Sequence, residues 1–139
     1  MNLNCDSFYE PKCFYSDLYQ PTVNRKPISL HQRYKVTQPH FLKPGDTIGI
    51  LAPARKVAAE ELSEGIKILE GWGFNVRLGK NLFKEQNQFS GSDVERAADL
   101  QTMLDDEDVK AIISARGGYG TVRIIDQLDF SKFKQHPKW

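Results

Sequence analysis

One stretch limits the fold more than any other: "LKPGDTIGILAP", Leu42 to Pro53. A Pro44-Gly45-Asp46 turn leads into Thr47-Ile48-Gly49-Ile50-Leu51, a near-continuous apolar run. A strand with no polar face needs cover on both sides, which a parallel sheet between helical layers supplies. The helices come next along the chain. After Pro53, Ala58, Leu62, Ile66 and Leu69 recur at spacings of four, four and three, one face of a helix. Gly71 and Gly73 flank Trp72 where that helix should stop, a glycine cap. Phe74, Val76 and Leu78 alternate with Asn75 and Arg77, a second strand.

Lys80 to Gly91 is polar and reads as a loop. Ser92-Asp93-Val94-Glu95 then forms a capping box, in which the hydroxyl takes an orphan amide and the glutamate reaches back. Ala97, Leu100 and Leu104 give the second helix its buried face, and "DDEDVKAIISA" turns into a third strand, Lys110 to Ser114. A third helix is expected beyond the glycines of "ARGGYGTVRIID", with Val122, Ile125 and Leu128 facing inward. The order β-α-β-α-β-α implies an α/β fold with a parallel sheet and right-handed crossovers.

Residues 1–40 are different. Pro11, Pro21, Pro27 and Pro39 interrupt every element that begins there, and the aromatics follow no period, so the expectation is an irregular or disordered tail. His31 and His40 receive no role. Cys5 and Cys13 are the only cysteines and lack zinc spacing, so free thiols are expected. The start, MNLNCDSFYEPK, has neither the basic nor the apolar part of a secretory signal, and no apolar run approaches membrane-helix length. With a net charge of +1, the chain makes no electrostatic case for nucleic acid or for an anionic membrane. A cytoplasmic location is expected. At 139 residues, one domain with a real core fits, here placed at 41–139.

In a parallel sheet, ligands sit outside the carboxyl ends of the strands. Two loops leave strands there: Ala52 to Arg55, and Arg116 to Gly120. The glycines allow positive φ and close backbone approach, and amides at the start of the following helix point outward, so this loop can hold a carboxylate, phosphate or oxyanion, with Arg116 as a forked donor. The same glycines also suit a plain strand-to-helix turn, with Arg116 solvated and Tyr119 on the surface. Nucleotide motifs fit badly: GxxxxGK[ST] is absent, and Arg123 stands where a GxGxxG string needs its last glycine. Asp105, Asp106, Glu107 and Asp108 read as a solvated turn rather than a metal site. Ser114 has no G-x-S-x-G around it, Thr121 lacks a base, and His136 reads as an exposed loop residue.

Three blocks together, "LKPGDTIGILAPA", "FSGSDVERAADLQTMLDDEDVKAIISARGGYGTVRIIDQLDF" and "HPKW", resemble the N-terminal half of LD-carboxypeptidases. These are the S66 serine peptidases, also called muramoyltetrapeptide carboxypeptidases. The resemblance runs from about Phe41 to Trp139 and implies a flavodoxin-like N-terminal domain, truncated here, of a two-domain α/β protein. It implies a cytosolic enzyme of cell-wall recycling that removes the terminal D-alanine from an L,D-linked murein tetrapeptide. A related branch cleaves microcin C-type peptide nucleotides. Carried onto this chain, the family's oxyanion and substrate loop falls on Arg116, Gly117, Gly118 and Tyr119, with Gly118 as the amide donor. The Ser-Glu-His triad is expected beyond Trp139, the serine in a G-[FY]-S-D turn, so no catalytic residue is assigned here and the chain alone is expected to be inactive. Neither a cofactor nor a metal is implied; the partner is a murein peptide, and the full-length protein is open to homodimerisation. A non-catalytic peptide-binding module and a flavodoxin-like nucleotide binder stand as the alternatives.

Overall fold

The computed structural model describes residues 37–139. Cys5, Cys13, His31 and the first 36 positions of the expected tail lie outside the described residues. The compact unit that concerns function is Val36–Trp139.

Its centre is β1 (Thr47–Leu51), flanked by β2 (Asn75–Leu78) and β3 (Val109–Ser114) in the order β2-β1-β3. All pairings are parallel: Ile48 lies opposite Val76 on one side and Ala111 on the other. Two helices cover the faces, α1 (Ala59–Gly71) and α2 (Asp93–Asp105). Alternation along β1 explains the uninterrupted apolar run. Ile50 and Ala52 pack with Val57 and Leu82 beneath Leu62, Ile66 and Leu69 of α1. Leu51 turns the other way, onto Met103 and Val109 with Leu100 of α2. Gly49 also faces α2, where a Cβ would lie 2.7 Å from Met103 Sδ. Each side of the strand thus has its own core, as a doubly covered sheet requires.

The helix boundaries have local causes. α1 ends in a Schellman cap: Gly73, at φ +87°, donates its N–H to Glu70 O at 2.8 Å, and Phe74 N–H reaches Leu69 O at 3.1 Å. Its N-cap is Ala58, exposed rather than on the buried face expected from spacing, because the helix begins one residue later. Instead of a side-chain cap, Glu61 accepts the Ala58 N–H at 2.9 Å. α2 has the reciprocal box: Glu95 N–H donates to Ser92 Oγ at 3.3 Å, and Ser92 N–H to Glu95 Oε2 at 2.9 Å. Its other end is closed by Lys138, whose buried Nζ donates to Met103 O at 3.0 Å and Asp106 O at 2.6 Å.

The expected third helix is not a single helix. Short 3₁₀ turns at Tyr119–Thr121 and Ile125–Gln127 precede a five-residue α3 (Ser131–Gln135). Val122 and Ile125 are exposed, and the buried side chain is Ile124. Glycines, followed by the β-branched Thr121, Val122, Ile124 and Ile125, disfavour continuous α-helix, and spacing by three suits a 3₁₀ turn equally well. Trp139 lies along the outer side of β3, with Ile112 N–H donating to Trp139 O at 2.7 Å and Trp139 N–H to Lys110 O at 3.0 Å. No helix among the described residues is long and apolar enough to cross a membrane.

Candidate functional site

The loops after β1 and β3 meet at the carboxyl end of the sheet. Gly120 is buried against Ala54: a Cβ there would lie 2.9 Å from Ala54 Cα and 3.0 Å from two ring atoms of Phe89. Gly118 sits above Ala54 and Arg55, with a φ of +147° and a ψ of −176°. That region of backbone space is close to glycine-only. The glycines therefore serve different purposes, one setting a backbone direction and the other a close approach.

Direction matters because of what the amides do. Among the described residues, the N–H groups of Gly117, Gly118 and Tyr119 donate to no backbone carbonyl, whereas Thr121 and Val122 N–H turn back onto Gly118 O and Tyr119 O. Gly117 and Gly118 are exposed, and Tyr119 retains 76% of its accessible surface. An exposed run of backbone donors can take an anion without displacing any internal bond.

Arg116 is committed elsewhere. Its Nη2 pairs with Glu61 Oε1 at 3.0 Å, at the first turn of α1. Thr121 is partly buried in the 3₁₀ turn, and Ser114 is exposed at the end of β3. His136 lies away from the loop, exposed and 3.7 Å from Glu107. Of the acidic run, Asp106 pairs with Arg77 and accepts the Asp108 N–H at 2.9 Å, the bonding of a turn. Among the described residues, no group of three His, Cys, Asp or Glu side chains is arranged to hold a metal.

The bracing of the loop comes from residues that spacing did not single out. Arg96 of α2 is 2% exposed, and its guanidinium donates to Pro53 O at 3.1 Å, to Gly91 O at 2.6 Å and to Asp93. Arg123, just past the glycines, grips the other oxygen of Asp93 at 2.7 and 3.0 Å. Both guanidiniums lie over the Phe89 ring, at 4.7 and 5.2 Å from its centroid. Hydrogen bonds from Arg123, and then from Arg96, hold the Asp93 carboxyl below its ordinary range, against an upward pull from burial. The segment read as a polar loop is thus a wall of the site, with Leu82 and Ser90 each 1% exposed. Ser90 Oγ donates to Leu82 O at 2.6 Å, and Asp99 accepts both the backbone and side-chain N–H of Asn81 at 2.8 Å.

Beside this wall, the α2 box titrates. A hydrogen bond from Lys84, joined by the Ser92 amide, lowers the Glu95 carboxyl from 4.5 to about 2. A depressed carboxylate contributes its stability above the unfolded value and loses it as the pH falls through the folded one. The box is therefore expected to open between pH 4.5 and about 2. Glu95→Gln should flatten that acid limb when the Ser92 amide resonance is followed by NMR; an unchanged limb would detach it from Glu95.

A cavity of about 770 Å³ opens at the opposite, amino end of β1 and β3, lined by His40, Asp46, Val109 and Lys138 among others. The glycine loop is nevertheless the better candidate, because it presents uncommitted donors, whereas Lys138 already closes α2.

The family profile described as LD-carboxypeptidase N-terminal domain matches residues 48–139. The chain belongs to the LD-carboxypeptidase family. It is 43% identical over 101 residues to a probable murein peptide carboxypeptidase of Bacillus subtilis, covering 73% of this chain and 32% of the relative. Its fold matches the solved microcin C7 self-immunity protein MccF in complex with aspartyl sulfamoyl adenosine (TM-score 0.69, 25% identity), over 74% of this chain and 32% of that one. It also matches a muramoyltetrapeptide carboxypeptidase from Oxalobacter formigenes (TM-score 0.59, 33% identity), over 66% of this chain and 31% of that one. The chain spans about a third of the length of the curated relatives it matches. The α/β fold, the parallel sheet and the family expected from the sequence agree with these likenesses.

Proposed function

We propose that this domain supplies the oxyanion loop and one wall of the substrate cleft to a serine-type LD-carboxypeptidase. The reaction is hydrolysis of the L,D-linked bond to the terminal D-alanine of a murein tetrapeptide, in the cytoplasm. The observation that carries it is the set of uncommitted amides at Gly117, Gly118 and Tyr119. When a serine oxygen adds to the scissile carbonyl, charge moves onto the carbonyl oxygen, and a donor roughly 3 Å away stabilises it. The extended, positive-φ backbone at Gly118 keeps a side chain out of that space. Phe89, Arg96 and Arg123 hold the loop, so little reorganisation accompanies the developing charge.

The nucleophile and its Glu and His partners belong, in this reading, to sequence following Trp139. The 139-residue chain is then expected to release no D-alanine from murein tetrapeptide above background. Fused at Trp139 to the remaining part of the Bacillus subtilis relative, it should become active. Activity of the 139-residue chain by itself, or a folded but inactive fusion, would overturn the assignment.

A second reading, cleavage of a microcin C-type peptide nucleotide, draws on the likeness to MccF bound to aspartyl sulfamoyl adenosine. The higher identity to the murein peptide relative favours the first. Offering the fusion both substrates separates them.

A further inference from the structure

Backbone amides answer the oxyanion, but a carboxypeptidase must also read the free carboxylate of the leaving residue, one residue past the scissile bond. We propose that Arg55 is that reader, a specificity-determining residue whose guanidinium takes the substrate's terminal carboxylate beside Gly118. This rests on the proposed function and deepens it.

Three observations carry the assignment. The first is position: a Cβ on Gly118 would lie 3.4 Å from Arg55 Cγ and 3.7 Å from Arg55 Cδ. The stem of Arg55 thus lies against the glycine whose amide faces the reaction centre, and its guanidinium begins one bond further on. The second is availability. Arg77, Arg96, Arg116 and Arg123 each have an acidic partner, whereas Arg55, exposed, has none among the described residues. Arg116, the cation that spacing suggested, is held by Glu61, which is itself anchored by the Ala58 amide at 2.9 Å. Neighbouring Lys56 is likewise engaged, by Glu85 at 2.6 Å.

The third observation is preorganisation. Ser90 N–H donates to Ala54 O at 3.0 Å and Lys56 N–H to Gln88 O at 3.1 Å, one bond on either side of Arg55. Ala54 beneath is fully buried. The backbone of Arg55 is pinned while its charge has no partner among the described residues, which suits a ligand contact: little main-chain entropy is lost on binding, and a planar fork matches a carboxylate.

The test uses the 139-residue chain and an L,D-linked murein tetrapeptide, as the free acid and as the C-terminal amide, followed by amide NMR titration. The free acid should shift the Gly118 and Tyr119 resonances and bind roughly tenfold more tightly than the amide, the scale of one charge-assisted contact. Arg55→Gln should bind both peptides alike, at the level of the amide. Arg55→Lys, keeping charge but not the fork, should fall between. Undiminished preference for the free acid in Arg55→Gln would overturn the proposal. The two readings fail separately. Loss of the preference in Arg55→Gln, with the Gly117 to Tyr119 resonances unmoved in every chain, would keep the Arg55 contact and remove the oxyanion loop. No binding of either peptide to the unsubstituted chain would remove both.

Discussion

Arg96→Met is expected to lower the unfolding free energy by about 2–4 kcal/mol, the sum of two buried carbonyls left without a donor and the loss of a charged partner. Methionine fills much of the volume but cannot donate to Pro53 O or Gly91 O, which Arg96 now reaches at 3.1 and 2.6 Å. Asp93 is not stranded, because Arg123 remains on its second oxygen and the carboxylate is partly exposed. That sets the upper end of the range below what a fully buried, orphaned ion would cost. Urea denaturation measures the loss. A change within about 0.5 kcal/mol, typical of an ordinary surface substitution, would show that the guanidinium is not the brace described. A second readout locates the damage: the amide resonances of Gly117, Gly118 and Tyr119 should broaden or shift, although none of them touches residue 96.

Gly120→Ala is expected to cost about 1–3 kcal/mol, through overpacking rather than a lost bond. The added methyl would sit 2.9 Å from Ala54 Cα and 3.0 Å from the Phe89 ring. Ala54 Cα is main chain in a loop tied to Ser90, and two guanidiniums lie over the Phe89 ring, so neither can yield cheaply. Relief comes only by lifting the glycine loop off Ala54, which would misplace the donors of the preceding residues. Gly117→Ala is the control: a Cβ there meets nothing within 4 Å, so its stability should hold. Equal stability of the two variants in thermal melts would contradict the close approach at Gly120.

Much of the architecture was legible because local rules and tertiary needs coincide in it. An apolar strand bounded by a turn, the Ser92–Glu95 box and the glycine after Trp72 each reflect backbone requirements that operate over a few residues. Beyond Gly120 the rules stopped agreeing. Spacing at Val122, Ile125 and Leu128 fits a helix, yet a single buried Ile124 anchors a broken turn, an outcome decided by what it packs on. The glycine loop was readable as a turn after a strand, while the engagement of Arg116 by Glu61, from a helix 55 positions earlier, was not. Arg96 and Asp99 left a faint signal. They fall within the inward stripe made by Ala97, Leu100, Met103 and Leu104, where a charge is costly unless paired. Naming the partners required the fold, since Pro53 is 43 positions away from Arg96.

The carboxylate of Asp93 serves two masters, one arginine in its own helix and one 30 positions downstream. The two arginines share one carboxylate, so substitutions at these positions will not add. Over evolutionary time, residues 89, 93, 96 and 123 should therefore be inherited as a single character. A drift at any one of them would be tolerated only alongside a matching change in the rest.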